Sequence, residues 1–273
     1  MKLIFIIALI NPWLSDVPWL IEGQPTQGAV LFGSTAPGAK ITLDGKPVLV
    51  SEAGRFVLGF DRDASAEATL DAILADGSKV RQILKVAPRD YDIQRIDGLP
   101  PAQVTPPEEV LSRIRNDNAQ VGRARAMREL RDDFAGGFIW PAEGPISGVY
   151  GSQRVLNGQP RRPHYGVDVA GPTGTPVIAP APGTVTLAHD DMYYSGGTLI
   201  IDHGHGLSST FLHLSRIDVV VGQRVSQGDP IGAIGATGRV TGPHLDWRMN
   251  WGKARVDPEL LVPCRARDGN PCR

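Results

Sequence analysis

The chain of 273 residues lacks any apolar run long enough to cross a membrane, and its formal charges nearly cancel to a net charge of -1. A membrane-spanning helix needs about 20 consecutive apolar residues, whereas the apolar run near the N-terminus covers only residues 3–10. A general nucleic-acid-binding surface normally needs an excess of basic residues. These absences predict a protein that is not transmembrane and has no nucleic-acid partner.

Cysteine is nearly absent, because the chain contains only Cys264 and Cys272, both close to the C-terminus. No histidine or third cysteine lies beside them, which argues against a zinc pair. In an exported protein two such residues form a disulfide that closes a short loop. We therefore expect a disulfide in the C-terminal tail, residues 264–273, and the alternative is two unpaired thiols.

Export is indicated by the N-terminus, where Lys2 precedes the apolar run. This pattern is typical of a secretory signal, so residues 1–20 are predicted to be a signal or an N-terminal apolar segment of a protein of the periplasm or cell envelope. The sequence Asn11-Pro12-Trp13 lacks the small residues of a cleavage site. A buried first strand is the alternative.

Glycine and proline are abundant, with 32 and 23 copies, and divide the chain into short segments typical of strands and turns. Residues 21–88 hold several alternating runs separated by turns such as Asp76-Gly77, which predicts a small β-sandwich. No cluster of catalytic residue types stands out there, so a structural or binding role is favoured. Residues 136–263 predict a second, all-β domain with long loops around one cleft, and the fold class is mostly β.

Residues 89–135 are predicted to be a linker followed by one α-helix. Thr105-Pro106-Pro107-Glu108 resembles a helix start, with Thr105 as the cap. Apolar residues then recur at helical spacing, and we expect the helix to end near residue 134, before Gly136-Gly137. Arginines and acidic residues alternate along its other faces, which indicates a solvated surface.

Two short stretches carry the candidate chemistry. His164 and Asp168 are four residues apart, and His244 and Asp246 are two apart, so each pair can face one point from a strand. His213 lies between them in sequence. Imidazole nitrogen and carboxylate oxygen are zinc ligands, and catalytic zinc sites use three protein ligands. Each pair alone is more often structural, but together they suggest a metal site.

Residues 138–260 resemble the lysostaphin or LytM type of zinc peptidase, which cuts peptide bonds in peptidoglycan. The family's His-x-x-x-Asp signature is matched by His164 and Asp168, and its Gly-Pro-His-x-His signature by residues 242–246. A His-Leu-Ser segment matches at residues 213–215. The resemblance implies a mostly β fold with the site in an open groove, one zinc ion, and catalytic roles for His213 and His244.

This chain departs from the family at one ligand, because Asp246 stands where the second histidine of the last signature is expected. A carboxylate oxygen can occupy nearly the place of a histidine Nδ1, so we expect His164, Asp168 and Asp246 to hold the zinc. Two carboxylates would cancel the charge of the ion, which predicts a weaker Lewis acid and an alkaline pH optimum.

The resemblance therefore implies a zinc metalloendopeptidase acting on stem peptides or cross-links of peptidoglycan. His213 or His244 would take the proton, and the other would hold the developing oxyanion; the chain has no His-Glu-x-x-His motif that could supply a glutamate base. One alternative is an inactive protein of the same fold that binds cell wall or activates a partner wall hydrolase. A swinging-arm carrier is excluded because no lysine lies between Lys85 and Lys253.

Overall fold

The computed structural model of this protein describes residues 18–96, 108–156 and 158–267. In these residues the predicted mostly β fold is confirmed. None of the helices in this part of the chain is long and apolar enough to cross a membrane. The predicted N-terminal signal lies largely on residues 1–17, outside the described residues, but Trp19 and Leu20 of that segment form part of the first strand.

Two small sheets face each other in the N-terminal module. Its strands are β1 (Trp19–Glu22), β2 (Val30–Thr35), β3 (Lys40–Leu43), β4 (Lys46–Val48), β5 (Arg55–Gly59), β6 (Glu67–Ile73) and β7 (Lys79–Lys85). A three-stranded sheet has the order β1-β2-β5, and a four-stranded sheet has the order β4-β3-β6-β7. Alternation along β6 buries one face of the four-stranded sheet, with Ala68, Leu70 and Ala72 inside, whereas β5 is buried on both faces and its Val57 packs into the main core of the C-terminal domain. The apolar faces form a core around Phe56 and Leu58.

The connecting region contains a strand, β8 (Ile93–Ile96), which the sequence analysis placed in a linker, and the helix α1 (Leu111–Ala124). The expected cap Thr105 lies outside the described residues, which resume with a 3-10 turn at Glu108–Val110. The prediction that α1 continues to about residue 134 is wrong.

The helix ends early because the following segment docks on a distant turn. The backbone N–H of His205 donates to the carbonyl of Glu129 at 2.8 Å. Gly204 approaches so closely that a Cβ there would lie 1.8 Å from the carbonyl oxygen of Arg131. A second 3-10 turn, Asp133–Gly136, then buries Phe134. Tertiary contacts thus replace the helical hydrogen bonds that local sequence favours.

The strands of the C-terminal domain are β9 (Ile146–Gly148), β10 (Gln153–Leu156), β11 (Gln159–Pro160), β12 (Gly166–Ala170), β13 (Pro176–Ile178), β14 (Gly183–Met192), β15 (Gly196–Asp202), β16 (Leu207–Ile217), β17 (Arg224–Val225), β18 (Pro230–Ile234), β19 (His244–Trp251) and β20 (Ala254–Val256). All of these except β10 and β11, which pair with each other, belong to a ten-stranded sheet whose main path runs β17-β14-β15-β16-β19-β12-β9. Strand β8 pairs in parallel with β10, so the connecting region continues into this domain.

Alternation along β19 separates the core from the site. Leu245, Trp247 and Met249 point into the main hydrophobic cluster. Successive strand residues face opposite sides, so His244, Asp246 and Arg248 share the other face. Near the chain end Cys264 is disulfide-bonded, and its expected partner, Cys272, lies outside the described residues.

Candidate metal centre

Adjacent strands and the loop before them bring the three predicted ligands together. Asp168 on β12 and Asp246 on β19 are direct cross-strand neighbours. His164 precedes β12, and its backbone is fixed by Gly151 N–H donating to its carbonyl and by its own N–H donating to the Ser152 carbonyl, each at 2.8 Å. One ligand atom from each of His164, Asp168 and Asp246 lies within 4.8 Å of the others.

The donor set fits a zinc ion. His164 Nε2 and Asp168 Oδ1 are 3.2 Å apart, close to the separation of about 3.3 Å between two ligands of a tetrahedral ion bound at about 2.0–2.1 Å. Both atoms are buried and have no hydrogen-bond partner. Buried polar atoms without partners are rare in native structures, and two opposed carboxylates repel each other unless a cation lies between them. His164, Asp168 and Asp246 therefore suit a cation.

Two glycines make room for the carboxylates. A Cβ on Gly148 would lie 2.2 Å from Asp168 Oδ2, and a Cβ on Gly166 would lie 2.5 Å from Asp246 Oδ1. Neither glycine has a positive φ, so the requirement is space and not backbone conformation.

Arg248 changes the charge balance expected from the sequence. Its Nε donates to Asp246 Oδ1 at 2.9 Å and to Oδ2 at 3.1 Å, and its Nη2 donates to Oδ2 at 2.5 Å. Burial favours the protonated acid, but this guanidinium holds the pKa of Asp246 below its ordinary value. The paired Asp246 and Arg248 carry no net charge, like a neutral imidazole. The expectation that two carboxylates cancel the charge of the ion counted Asp246 without Arg248, whose positive charge offsets that of Asp246.

His213 presents one ring nitrogen to the site from an unusual backbone. Its φ is 65°, in the left-handed region that non-glycine residues rarely adopt. Its Nδ1 lies 2.9 Å from the carbonyl oxygen of Thr237, which only accepts, so Nδ1 carries the proton and Nε2 is left for the site. Burial lowers the pKa of His213, which favours the neutral ring.

His244 is oriented in the same manner. Its Nδ1 lies 2.9 Å from the carbonyl oxygen of Gly242, and its Nε2 is 3.9 Å from Asp168 Oδ1. The ring centroids of His213 and His244 are 5.0 Å apart. The rings of His213 and His244 therefore lie beside the three proposed ligands, and each ring is held to the backbone through Nδ1 and not through Nε2.

A groove of about 680 Å³ leads to the site, lined by Gly148, Arg154, His164, Asp168, Arg239 and Arg248 among others. The sequence motifs do not single out Arg248, although its position two residues after Asp246 on a strand places both on one face. They also do not single out Gly148 and Gly166, because the role of these glycines depends on the neighbouring strand. Two of the other histidines are structural: His203 is buried between the Pro182 carbonyl and the Ser209 hydroxyl, and His205 is buried with its Nδ1 3.1 Å from the Leu49 carbonyl oxygen.

Comparison with known proteins agrees with this geometry. Residues 162–258 match the sequence profile of peptidase family M23. The peptidoglycan DD-endopeptidase ShyA of Vibrio cholerae is 46% identical over 87 residues, which cover 32% of this chain and 20% of that protein. The cell division protein DipM of Caulobacter vibrioides is 34% identical over 134 residues, which cover 47% of this chain and 21% of that protein.

A solved structure matches over nearly its whole length. A Pseudomonas aeruginosa protein described as a peptidase M23 is 32% identical, with a TM-score of 0.68, and the match covers 87% of this chain and 95% of that one. The match to the curated relatives spans only about a fifth of their length. By its matched residues, its strand topology and this likeness, the chain belongs to peptidase family M23.

Proposed function

We propose that this protein is a zinc-dependent endopeptidase that hydrolyses peptide bonds in peptidoglycan. The observation that carries the proposal is the convergence of two buried atoms that make no hydrogen bond, His164 Nε2 and Asp168 Oδ1 at 3.2 Å from each other, with the carboxylate of Asp246. The substrate class is supported by the ShyA relative, which is named a peptidoglycan DD-endopeptidase.

In this proposal His164, Asp168 and Asp246 hold the zinc ion, and His213 and His244 act on the substrate. When bound, the ion supplies Lewis-acid activation of water and of the scissile carbonyl. His213, whose neutral ring has a free Nε2, is suited to accept a proton from the attacking water. His244, whose Nε2 is 3.9 Å from Asp168 Oδ1, is suited to hold the developing oxyanion.

The test combines metal analysis with digestion of purified peptidoglycan sacculi. We expect about one zinc per chain and release of soluble peptides, both lost on chelation and both restored by added zinc. His164→Ala and Asp246→Ala should lose the metal and the activity together. His189, which is half-buried on β14 and lies outside the site, offers the control, and His189→Ala should keep both. Peptide release that persists in the chelated protein and in both ligand variants would refute the proposal.

A second candidate function is a non-catalytic protein of this fold that binds cell wall or activates a partner wall hydrolase. The bidentate hold of Arg248 on Asp246 favours it, because a guanidinium and a metal compete for the same carboxylate. A purified protein without bound metal that still sediments with sacculi would support this second function.

We also infer that the protein works in the cell envelope, since its proposed substrate lies outside the cytoplasm. Fractionation of cells producing the full chain should place it with periplasmic or envelope proteins. Recovery in the cytoplasmic fraction alone would contradict the inferred location.

A further inference from the structure

A second cavity, of about 310 Å³, opens beside His213 and is rich in arginine. We call it the arginine cavity, and its basic lining residues are Arg125, Arg162, Arg239, Arg248 and Arg255. No aspartate or glutamate lines it in the described part of the chain. It shares Arg162, Arg239 and Arg248 with the groove that holds His164 and Asp168, so it lies next to the proposed reaction centre.

Only one of these guanidiniums has a carboxylate partner. Arg248 is committed to Asp246. Arg125 donates from Nη2 to the Thr210 hydroxyl at 2.9 Å, and its buried Nε has no hydrogen-bond partner. Arg255 donates from Nη1 to the Asn250 side-chain oxygen at 3.3 Å, and its guanidinium carbon lies 5.7 Å from the centre of the Tyr165 ring.

Arg162 and Arg239 also lack a carboxylate partner, because neither takes part in an ion pair among the described residues. Both are exposed at the mouth of the cavity. The cavity therefore collects five guanidiniums, of which only Arg248 is paired with a carboxylate among the described residues.

The cations destabilise one another. Burial, with the nearby charges of Arg255, Arg248 and Arg162, lowers the pKa of Arg125 to about 9. Burial, with Arg248 and Arg162, lowers the pKa of Arg255 to about 10. Like charges in a partly desolvated site disfavour the charged form. An anion placed among them would relieve this repulsion and supply the missing hydrogen-bond acceptors.

We propose that the arginine cavity is a subsite for a carboxylate group of the peptide substrate, bound by Arg125, Arg162 and Arg255. This assignment rests on the proposed endopeptidase function. A planar guanidinium matches a carboxylate in a two-bond fork. The volume of the cavity admits a short side chain or a peptide end but not a polymer. Because His213 lines the cavity, a carboxylate bound there would be a few bonds from the reacting peptide bond.

The test compares two synthetic cross-linked peptides that differ only in one group, a free carboxylate or the matching carboxamide. Hydrogen bonds to charged groups contribute about 1.5–3 kcal/mol, so the wild type should show kcat/KM higher by about tenfold to a hundredfold for the carboxylate form. In Arg125→Gln/Arg162→Gln this preference should fall to less than about threefold. Arg255→Gln, which leaves the α1 contacts intact, is a second variant with the same expected direction.

Arg216→Gln is the matched control, because Arg216 is an exposed arginine of the same domain paired with Asp218. It should keep the full preference. Loss of the preference in this control as well would overturn the assignment to the arginine cavity.

Calorimetric titration of the wild type with both peptides separates this proposal from the endopeptidase function. Cleavage of both peptides at equal rates would overturn the carboxylate subsite and leave the endopeptidase standing. Tighter binding of the carboxylate peptide without cleavage would support the subsite and overturn the endopeptidase.

Discussion

Arg248 holds both carboxylate oxygens of Asp246, with Nε at 2.9 Å from Oδ1 and 3.1 Å from Oδ2. The two residues lie two apart on one face of β19, and Asp246 is 3% exposed. Asp168 stands directly opposite Asp246 on β12. The guanidinium therefore offsets the charge of one of two neighbouring carboxylates, and any bound cation must share Asp246 with it.

Arg248→Gln should make the metal-free protein less stable and more dependent on zinc. Removing one partner of a buried ion pair costs about 3–5 kcal/mol, and we expect about 2–3 kcal/mol here because Arg248 is partly exposed, with 25% of its side-chain surface accessible. Added zinc should then raise the unfolding midpoint more than in the wild type, since a ligand that binds only the folded state stabilises it. Thermal unfolding with chelator or with zinc measures both effects. An equal zinc effect in Arg248→Gln and wild type would contradict this.

Gly166→Ala should abolish zinc binding. Its Cβ would lie 2.5 Å from Asp246 Oδ1, so the carboxylate must turn away from His164 and Asp168. Metal analysis of the purified variant gives the result directly. Gly136→Ala is the control, because a Cβ there meets nothing within 4 Å, and it should retain the wild-type zinc content. A Gly166→Ala protein with full zinc would show that Asp246 is not a ligand.

His213→Asn should lose activity and keep the metal. Asparagine tolerates the left-handed backbone better than most residues, so this variant removes the ring while preserving the φ of 65°. Loss of a general base lowers the rate by about 10²–10⁴-fold. Peptide release from sacculi and zinc content are measured together. His189→Asn provides the comparison, and loss of zinc in His213→Asn would instead make this residue a ligand.

The buried His203 should make the fold sensitive to acid. It is 0% exposed, and burial lowers its pKa to about 4, whereas an unfolded histidine has a pKa of about 6.5. Between these values the unfolded chain binds more protons, so the stability from His203 is complete above pH 6.5 and is lost as the pH falls toward 4. From pH 7.5 to 4.5 this loss is about 2–3 kcal/mol.

Urea unfolding of the wild type and His203→Gln at these two pH values measures the contribution of His203. Glutamine cannot take up the proton, so the variant should lose less unfolding free energy than the wild type on acidification, by about 2–3 kcal/mol. Equal losses in the two proteins would mean that the ring does not become charged on unfolding in this range.

Sequence spacing predicted much of the site because strand geometry is regular. The spacing of His244 and Asp246 places both on one face of β19, whereas His164 lies in the loop before β12 and meets Asp168 because Gly151 and Ser152 fix its backbone. Spacing did not predict that Asp246 and Arg248 form a neutral pair, since this depends on burial. The end of α1 and the strand β8 also depend on distant partners, the turn at Gly204 and strand β10, and local propensity carries no information about them.

Residues upstream of the family match form one side of the groove. Arg62 of the N-terminal module donates from Nε to the Gly151 carbonyl at 2.9 Å, Gly151 N–H in turn donates to the His164 carbonyl at 2.8 Å, and β8 runs beside β10. The family match begins only at residue 162. A protein shortened to residues 162–258 would keep His164, Asp168 and Asp246 together with His213 and His244. It would lose the upstream residues that hold the backbone of His164 in place.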